Sequence, residues 1–225
     1  MKVGTDGVLL GAWVKPNPNP SLKGREYRIL DVGTGSGLIA RMLMQRCPEA
    51  EVEGIDIDEA AVEQARENGV NAYCSSLQEW QNHQSPITNH LYDLVVSNPP
   101  YFQNSLKNPD KGREMARHTD SLSYDELVQH SARLLTDHGQ LAIILPAGVE
   151  KEMREIAERY SLYCTHVTRV YSKESKPARR VLLCFARIQN TDRFTDRIQI
   201  DSLVLEDEKG GRSAAYSNLC RDFYL

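Results

Sequence analysis

No apolar run in the 225 residues approaches bilayer-spanning length, and the N-terminus has no basic-then-apolar leader. Neither a membrane span nor a secretory signal is expected, and the cytoplasm is the expected compartment. Cysteines spaced CxxC are also missing. The five present, Cys47, Cys74, Cys164, Cys184 and Cys220, are odd in number and scattered, which points to reduced thiols and to no bound metal. Nor is there an excess of positive charge: 27 Lys+Arg against 31 Asp+Glu leave a net charge of −4. A protein that coats nucleic acid through its general field is therefore excluded, and any polyanion must meet a local basic patch. Repeats, low-complexity tracts and linkers are lacking too. With 40% hydrophobic residues to build one core, a single monomeric domain is expected over 1–225, with a core sheet over 27–187 and a tail over 188–225 packed on it.

What the sequence has is alternation of strand-like and helix-like segments, the pattern of a mainly parallel sheet covered by helices. Strands are expected at Tyr27 to Val32, Glu51 to Asp56, near Ala72 to Cys74, from Asp93 into Asn98, and at Gln140 to Leu145. Helices are expected at Leu38 to Arg46, Glu59 to Asn68 with Asp58 as cap, around Trp80, at Tyr124 to Thr136 and at Val149 to Tyr160. Tyr163 to Tyr171 and Arg179 to Ala186 succeed each other with no helix between, which predicts an antiparallel pair closing the sheet. Ile198-Gln-Ile200 and Leu203-Val-Leu205 read as part of the tail.

Gly33, Gly35 and Gly37 stand directly after one strand and before one helix, where the backbone must turn tightly and can approach a ligand without Cβ clashes. A bare G-x-G turn needs no ligand, but Asp56 ends the next strand, placed to accept hydrogen bonds from both hydroxyls of a ribose. The spacing is G-x-G-x-G, with Leu38 where a dinucleotide loop would carry its third glycine, and Asp31 precedes the loop. A carboxylate there repels a diphosphate and favours a cationic amino-acid group, so a sulfonium-linked nucleoside suits the loop better than a dinucleotide.

Asp31-Val-Gly-Thr-Gly-Ser-Gly37, Gly54-Ile-Asp-Ile-Asp58 and Asn98-Pro-Pro-Tyr101, in this order, resemble class I S-adenosylmethionine-dependent methyltransferases acting on exocyclic amines. The opening Met1-Lys-Val-Gly-Thr-Asp-Gly-Val-Leu-Leu-Gly-Ala-Trp13, with Pro177 to Leu183 and Asp222-Phe-Tyr-Leu225, narrows the resemblance to the bacterial tRNA1(Val) (adenine(37)-N6)-methyltransferase family. That implies a Rossmann-like α/β fold with a seven-stranded, mostly parallel sheet, its last strand antiparallel, and helices on both faces. It implies S-adenosyl-L-methionine as cofactor and a valine tRNA as partner. Thr5 and Asp6, in a cofactor-covering segment 1–26, are expected at the methionine end. Asp56, Ile57, Ser76, Leu77 and Asn98 complete the expected cofactor contacts. Family members generally extend upstream of the opening motif, so the resemblance implies pocket-covering residues that are either missing here or encoded ahead of Met1. Many relatives place an Asp against the adenine amine where Ser75-Ser76-Leu77-Gln78 stands, which implies that Ser76 accepts one hydrogen bond there without the charge.

Proline cannot continue a central strand, so pairing must stop at Asn98 and the chain must turn outward, presenting the prolines and the aromatic pair. An aromatic amine is a poor nucleophile because its lone pair is delocalised. The resemblance implies that the Asn98 side-chain oxygen and the Pro99 carbonyl accept its two N–H bonds and aim the lone pair, by orientation and electrostatics without a strong base. Pro100 helps fix that carbonyl, Tyr101 stacks on an extruded base, and Phe102 stands behind it. Arg113, Arg117 and His118, and Arg179 and Arg180 beside Lys173 and Lys176, are the candidates for RNA contacts. Three readings stay open: an adenine N6-methyltransferase of tRNA; an enzyme of the same chemistry acting on a protein glutamine amide or an rRNA guanine; and a cofactor-binding module or nicotinamide-dependent oxidoreductase on the same sheet.

Overall fold

The structure, a computed structural model, describes residues 4–16, 26–83, 91–99, 122–187 and 198–223. Strands β1 (Tyr27–Val32), β2 (Ala50–Asp56), β3 (Asn71–Cys74), β4 (Tyr92–Ser97), β5 (Leu135–Pro146), β6 (Tyr163–Tyr171), β7 (Ala178–Ala186) and β8 (Gln199–Val204) form one sheet in the order β3-β2-β1-β4-β5-β7-β6-β8. The middle of β4, β5 and β7 is a continuous apolar run, Leu94 to Val96, Leu141 to Leu145 and Val181 to Phe185, because both faces are covered. Along β4, Leu94 and Val96 face one helix layer while Val95 faces the other, and β5 divides the same way, with Ala142 and Ile144 against Leu141, Ile143 and Leu145. The first layer holds α1 (Thr5–Trp13), α2 (Leu38–Arg46), α3 (Glu59–Glu67) and α7 (Ala214–Leu219); the second holds α4 (Leu77–His83), α5 (Tyr124–Leu134) and α6 (Glu150–Arg159).

Local chemistry sets the helix ends. Asp58 caps α3 by accepting the Ala60 N–H at 3.0 Å, as its place in the sequence suggests. At α5 the Ser123 hydroxyl and the Glu126 carboxylate satisfy each other's backbone N–H groups, a capping box. This helix ends two residues short of the expected Thr136, because Leu135 turns extended and enters β5 with no loop between.

One expectation about the sheet is corrected: among the described residues it has eight strands, where seven were expected. The seventh, β7, is antiparallel as expected and runs against both β5 and β6, while the additional β8 lies parallel to β6 at the edge. Gln199–Val204, read as part of a packed tail, pairs with His166 to Tyr171 and buries Leu203. The partner strand lies far away in the chain, and a six-residue segment with one buried side chain carries little periodicity of its own.

The opening segment is a helix. From Gly7 to Trp13 α1 is buried on all sides, so it has no amphipathic stripe to read. It lies close against α2, where a Cβ at Gly11 would come within 2.8 Å of Met42 Sδ. Its end is tied down by Trp13 Nε1, which donates to Thr168 Oγ1 at 2.7 Å, and by Arg46, which donates to the Gly11 and Val14 carbonyls.

Gly54 on β2 tests this packing. A Cβ there would lie 2.7 Å from Thr34 Oγ1 and 2.9 Å from Thr34 Cβ. Thr34 cannot swing aside, since its hydroxyl donates to buried Asp31 at 2.7 Å. Gly54→Ala is expected to lower the unfolding free energy by about 1–3 kcal/mol in urea titration, the usual cost of overpacking.

Candidate functional site

Sheet order reverses at β1: β2 and β3 lie to one side, β4 and β5 to the other. Helices α2 and α5 accordingly pack on opposite faces, and a crevice opens at the carboxyl ends of β1 and β4. Register decides what lines it. Val32 pairs with Ser97 and with Ile55, and Asp56 pairs with Cys74. The residues at and just past these strand ends, Gly33, Asn98, Asp56 with Ile57, and Ser75 with Ser76, therefore stand side by side along one edge.

The loop after β1 is held by its surroundings. Gly33, Gly35 and Gly37 have φ of 71°, 56° and 81°, a region L side chains rarely adopt. The Ile55 carbonyl accepts the Gly33 and Thr34 N–H groups, both at 2.9 Å, and Asp56 Oδ2 accepts the Gly35 N–H at 2.9 Å. Asp56 Oδ1 accepts the Asp58 N–H at 3.0 Å, so the half-buried carboxylate organises two turns and keeps lone pairs toward the crevice. A Cβ at Gly33 would meet no atom of the described residues within 4 Å, whereas at Gly37 it would strike Val70 at 2.7 Å. Gly37 thus serves packing and Gly33 leaves open room for a ligand.

Asp31 lies beneath the loop and is fully buried, so it acts on the site through its field and through the loop. Its Oδ2 accepts from Thr34 Oγ1 at 2.7 Å and from the Ala40 N–H at 3.2 Å, while Oδ1 has no hydrogen-bond partner among the described residues. Burial raises its pKa to about 7 against the pull of those two bonds, with the Asp56 carboxylate adding to the rise. A cation above the loop would favour the ionised form.

The other expected residues divide. Asn98 is half-buried and Pro99 buried at the end of β4. Ile57 is 61% exposed beside Asp56, an uncovered apolar side chain on the crevice edge. Ser76 is half-buried and caps α4: its Oγ donates to Glu79 at 2.9 Å and accepts the Glu79 N–H at 3.2 Å, leaving one lone pair. The Leu77 side chain is 2% exposed and belongs to the core. Thr5 is exposed and Asp6 half-buried in the first turn of α1, and Asp6 pairs with Arg180 at 2.9 Å. Arg179 is exposed. Pro100, Tyr101, Phe102, Arg113, Arg117 and His118 lie outside the described residues. Among the described residues no group of His, Cys, Asp or Glu could hold a metal ion, and no helix is long and apolar enough to cross a membrane. Sequence reasoning missed Ser97, 1% exposed, whose Oγ donates to the Val32 carbonyl at 2.8 Å. A hydroxyl ending an otherwise apolar strand was the available signal.

The Methyltransferase small domain family matches residues 19–167. A tRNA1(Val) (adenine(37)-N6)-methyltransferase of Phocaeicola vulgatus is 42% identical over 228 aligned positions, covering 100% of this chain and 91% of the relative. Among solved structures, a protein of Agrobacterium tumefaciens described as a predicted O-methyltransferase superposes with a TM-score of 0.66 at 15% identity, covering 96% of this chain and 95% of the other. A TehB-like SAM-dependent methyltransferase of Corynebacterium glutamicum gives 0.51 at 20% identity, over 82% and 89%. At those identities the two structures speak for the fold alone.

Asp31 makes stability fall as pH rises. Its folded pKa of about 7 lies above the unfolded value of 3.8, so the folded state holds more protons between the two. This contribution is full below the unfolded pKa and is lost as pH rises through the folded pKa. Urea unfolding from pH 4 to 8 is expected to show that loss, and Asp31→Asn to remove it.

Proposed function

We infer, since the chain belongs to the bacterial tRNA1(Val) (adenine(37)-N6)-methyltransferase family within the Methyltransferase small domain family, that it methylates N6 of adenine 37 in a valine tRNA. It is an S-adenosylmethionine-dependent methyltransferase. The observation that carries the reading is the Val32–Ser97 register, which sets the glycine loop beside the amide of Asn98 across the crevice.

The residues fit the cofactor. Open space at Gly33 admits a ligand against the backbone, and buried Asp31 places negative charge under it. Asp56, already oriented by the Gly35 and Asp58 N–H groups, accepts the ribose hydroxyls, and exposed Ile57 covers an adenine face. The remaining Ser76 lone pair accepts one bond at the adenine edge, next to the Leu77 backbone, while Thr5 and Asp6 border the methionine end. Bound S-adenosylmethionine supplies a methyl group made electrophilic by a sulfonium centre.

Asn98 and Pro99 do the orienting. Their two carbonyl oxygens accept the N–H bonds of the exocyclic amine, drawing the nitrogen toward a tetrahedral shape and aiming its lone pair at the methyl group. Once alkylated, the nitrogen carries a positive charge and loses its extra proton to solvent, which neutral acceptors do not hold back as a carboxylate would. Pro100 restricts the backbone, and Tyr101, backed by Phe102, stacks on the extruded base. Arg113, Arg117 and His118 contact the RNA backbone, joined by Arg179 on β7. The enzyme works in the cytoplasm as a monomer without a metal.

Asn98→Ala is expected to lower single-turnover methyl transfer by about 10²–10³-fold, the usual loss when one preorganised polar group is removed. S-adenosylmethionine affinity by calorimetry should fall far less than the rate, since Asn98 is only one of the cofactor contacts. Labelled cofactor offered with tRNA, rRNA and protein acceptors checks the substrate, with label expected on tRNA adenine. Label on rRNA guanine or protein glutamine would overturn the assignment.

A further inference from the structure

Arg179 and Arg180 are neighbours on a strand, and a strand sends neighbouring side chains to opposite faces. Arg179 is exposed, whereas Arg180 is 28% exposed and turns onto α1, its Nε donating to Asp6 Oδ2 at 2.9 Å. Arg180 Nη1 also donates to the Arg179 carbonyl at 3.1 Å, which fixes the plane of the guanidinium. The pair sits at a definite place on the crevice. Arg180 is opposite Pro146 on β5, beyond Ile143, which is itself opposite Ser97 on β4. It therefore stands above the carboxyl ends of the strands that deliver Asn98. Asp6 comes from the other side: the next residue, Gly7, packs so close to the start of α2 that a Cβ would lie 3.1 Å from Leu38 Cδ2, directly after the glycine loop. The α1 N-cap, Gly4, offers no side-chain bond to steady this turn.

We propose that Arg180 is a positioning residue for the cofactor: by holding Asp6 it fixes the first turn of α1 over the glycine loop, and the RNA-facing cation of the pair is Arg179. The proposal rests on the methyltransferase reading and divides two arginines that the sequence offers as equivalent. A guanidinium held by a carboxylate at 2.9 Å and by a backbone carbonyl presents less charge to a phosphate than an exposed one does.

The test is S-adenosylmethionine affinity by calorimetry, together with binding of a valine tRNA across a salt series, for the wild-type chain, R180Q, R180K, D6N and R179Q. R180Q is expected to weaken S-adenosylmethionine about tenfold and to leave the slope of tRNA affinity against salt unchanged. R179Q is expected to leave the cofactor affinity alone and to flatten that slope. R180K, whose Nζ can still reach Asp6, is expected to keep most of the affinity. Should R180Q fail to fold, D6N removes the other half of the pair, and a D6N protein that binds the cofactor as the wild type does would overturn the proposal. So would an R180Q protein that folds and binds the cofactor normally, or one whose salt slope falls. No cofactor binding by the wild-type chain would instead overturn the methyltransferase reading, and this inference with it.

Discussion

The carboxyl end of β1 is held from both sides. On one flank the Ile55 carbonyl accepts the Gly33 and Thr34 N–H groups; on the other the Ser97 hydroxyl donates to the Val32 carbonyl. Each bond adds only about 0.5–1.5 kcal/mol net, but a buried polar group that loses its partner costs about 1–3 kcal/mol. That asymmetry keeps three strands in one register where the chain must leave the sheet at positive φ. A slip of one residue between β1 and β4 would turn every side chain of β4 to the opposite face, and would move Asn98 away from the glycine loop.

The opposite edge of the sheet carries a second fastening. Arg28 at the start of β1 donates to Glu51 at 2.7 Å and to Glu53 at 2.8 Å and lies 4.8 Å over the Tyr92 ring. Tyr92 donates to Glu53 at 2.8 Å and accepts from Trp80 Nε1 at 3.1 Å. Burial and the Glu53 carboxylate push the Tyr92 phenol far up, so it remains a donor throughout the physiological range. A pair of this kind gains little net stability, but removing one partner leaves a buried charge uncompensated at a cost of about 3–5 kcal/mol. Here the partners are β1, β2 and β4, the strands whose far ends form the crevice, so the site's register is fixed at both edges.

Most of the sheet was legible because buried strands and amphipathic helices have strong periods, and the glycine loop, Asp56 and the asparagine-proline turn stand at strand ends that those periods predict. What was not legible has identifiable causes. Helix α1 is apolar all round, so its 3.6-residue period is invisible. Strand β8 has one buried side chain and depends on β6 for its existence. Leu77 looks like a pocket residue from its place after β3, but the helix it starts turns it into the core. Ser76 looks like a lone acceptor, and only the structure shows Glu79 sharing it. Arg180 and Asp6 are 174 residues apart, beyond any local pattern.

Charge is sorted by depth at this edge, and the sorting fits a protein of net charge −4 whose substrate is a polyanion. Carboxylates stand inside: Asp31 beneath the loop and Asp56 beside it. Cations stand outside, on the β6–β7 turn and its flank, where Lys176 and Arg179 are exposed and Lys173 reaches Glu206 at 3.5 Å. A phosphate chain entering the crevice would meet the inner carboxylates and lose its own hydration without compensation, so repulsion keeps the backbone at the rim. A single uncharged base suffers no such penalty. The same inner charge that would suit a sulfonium and an ammonium group would thus filter which part of a nucleic acid can enter the crevice.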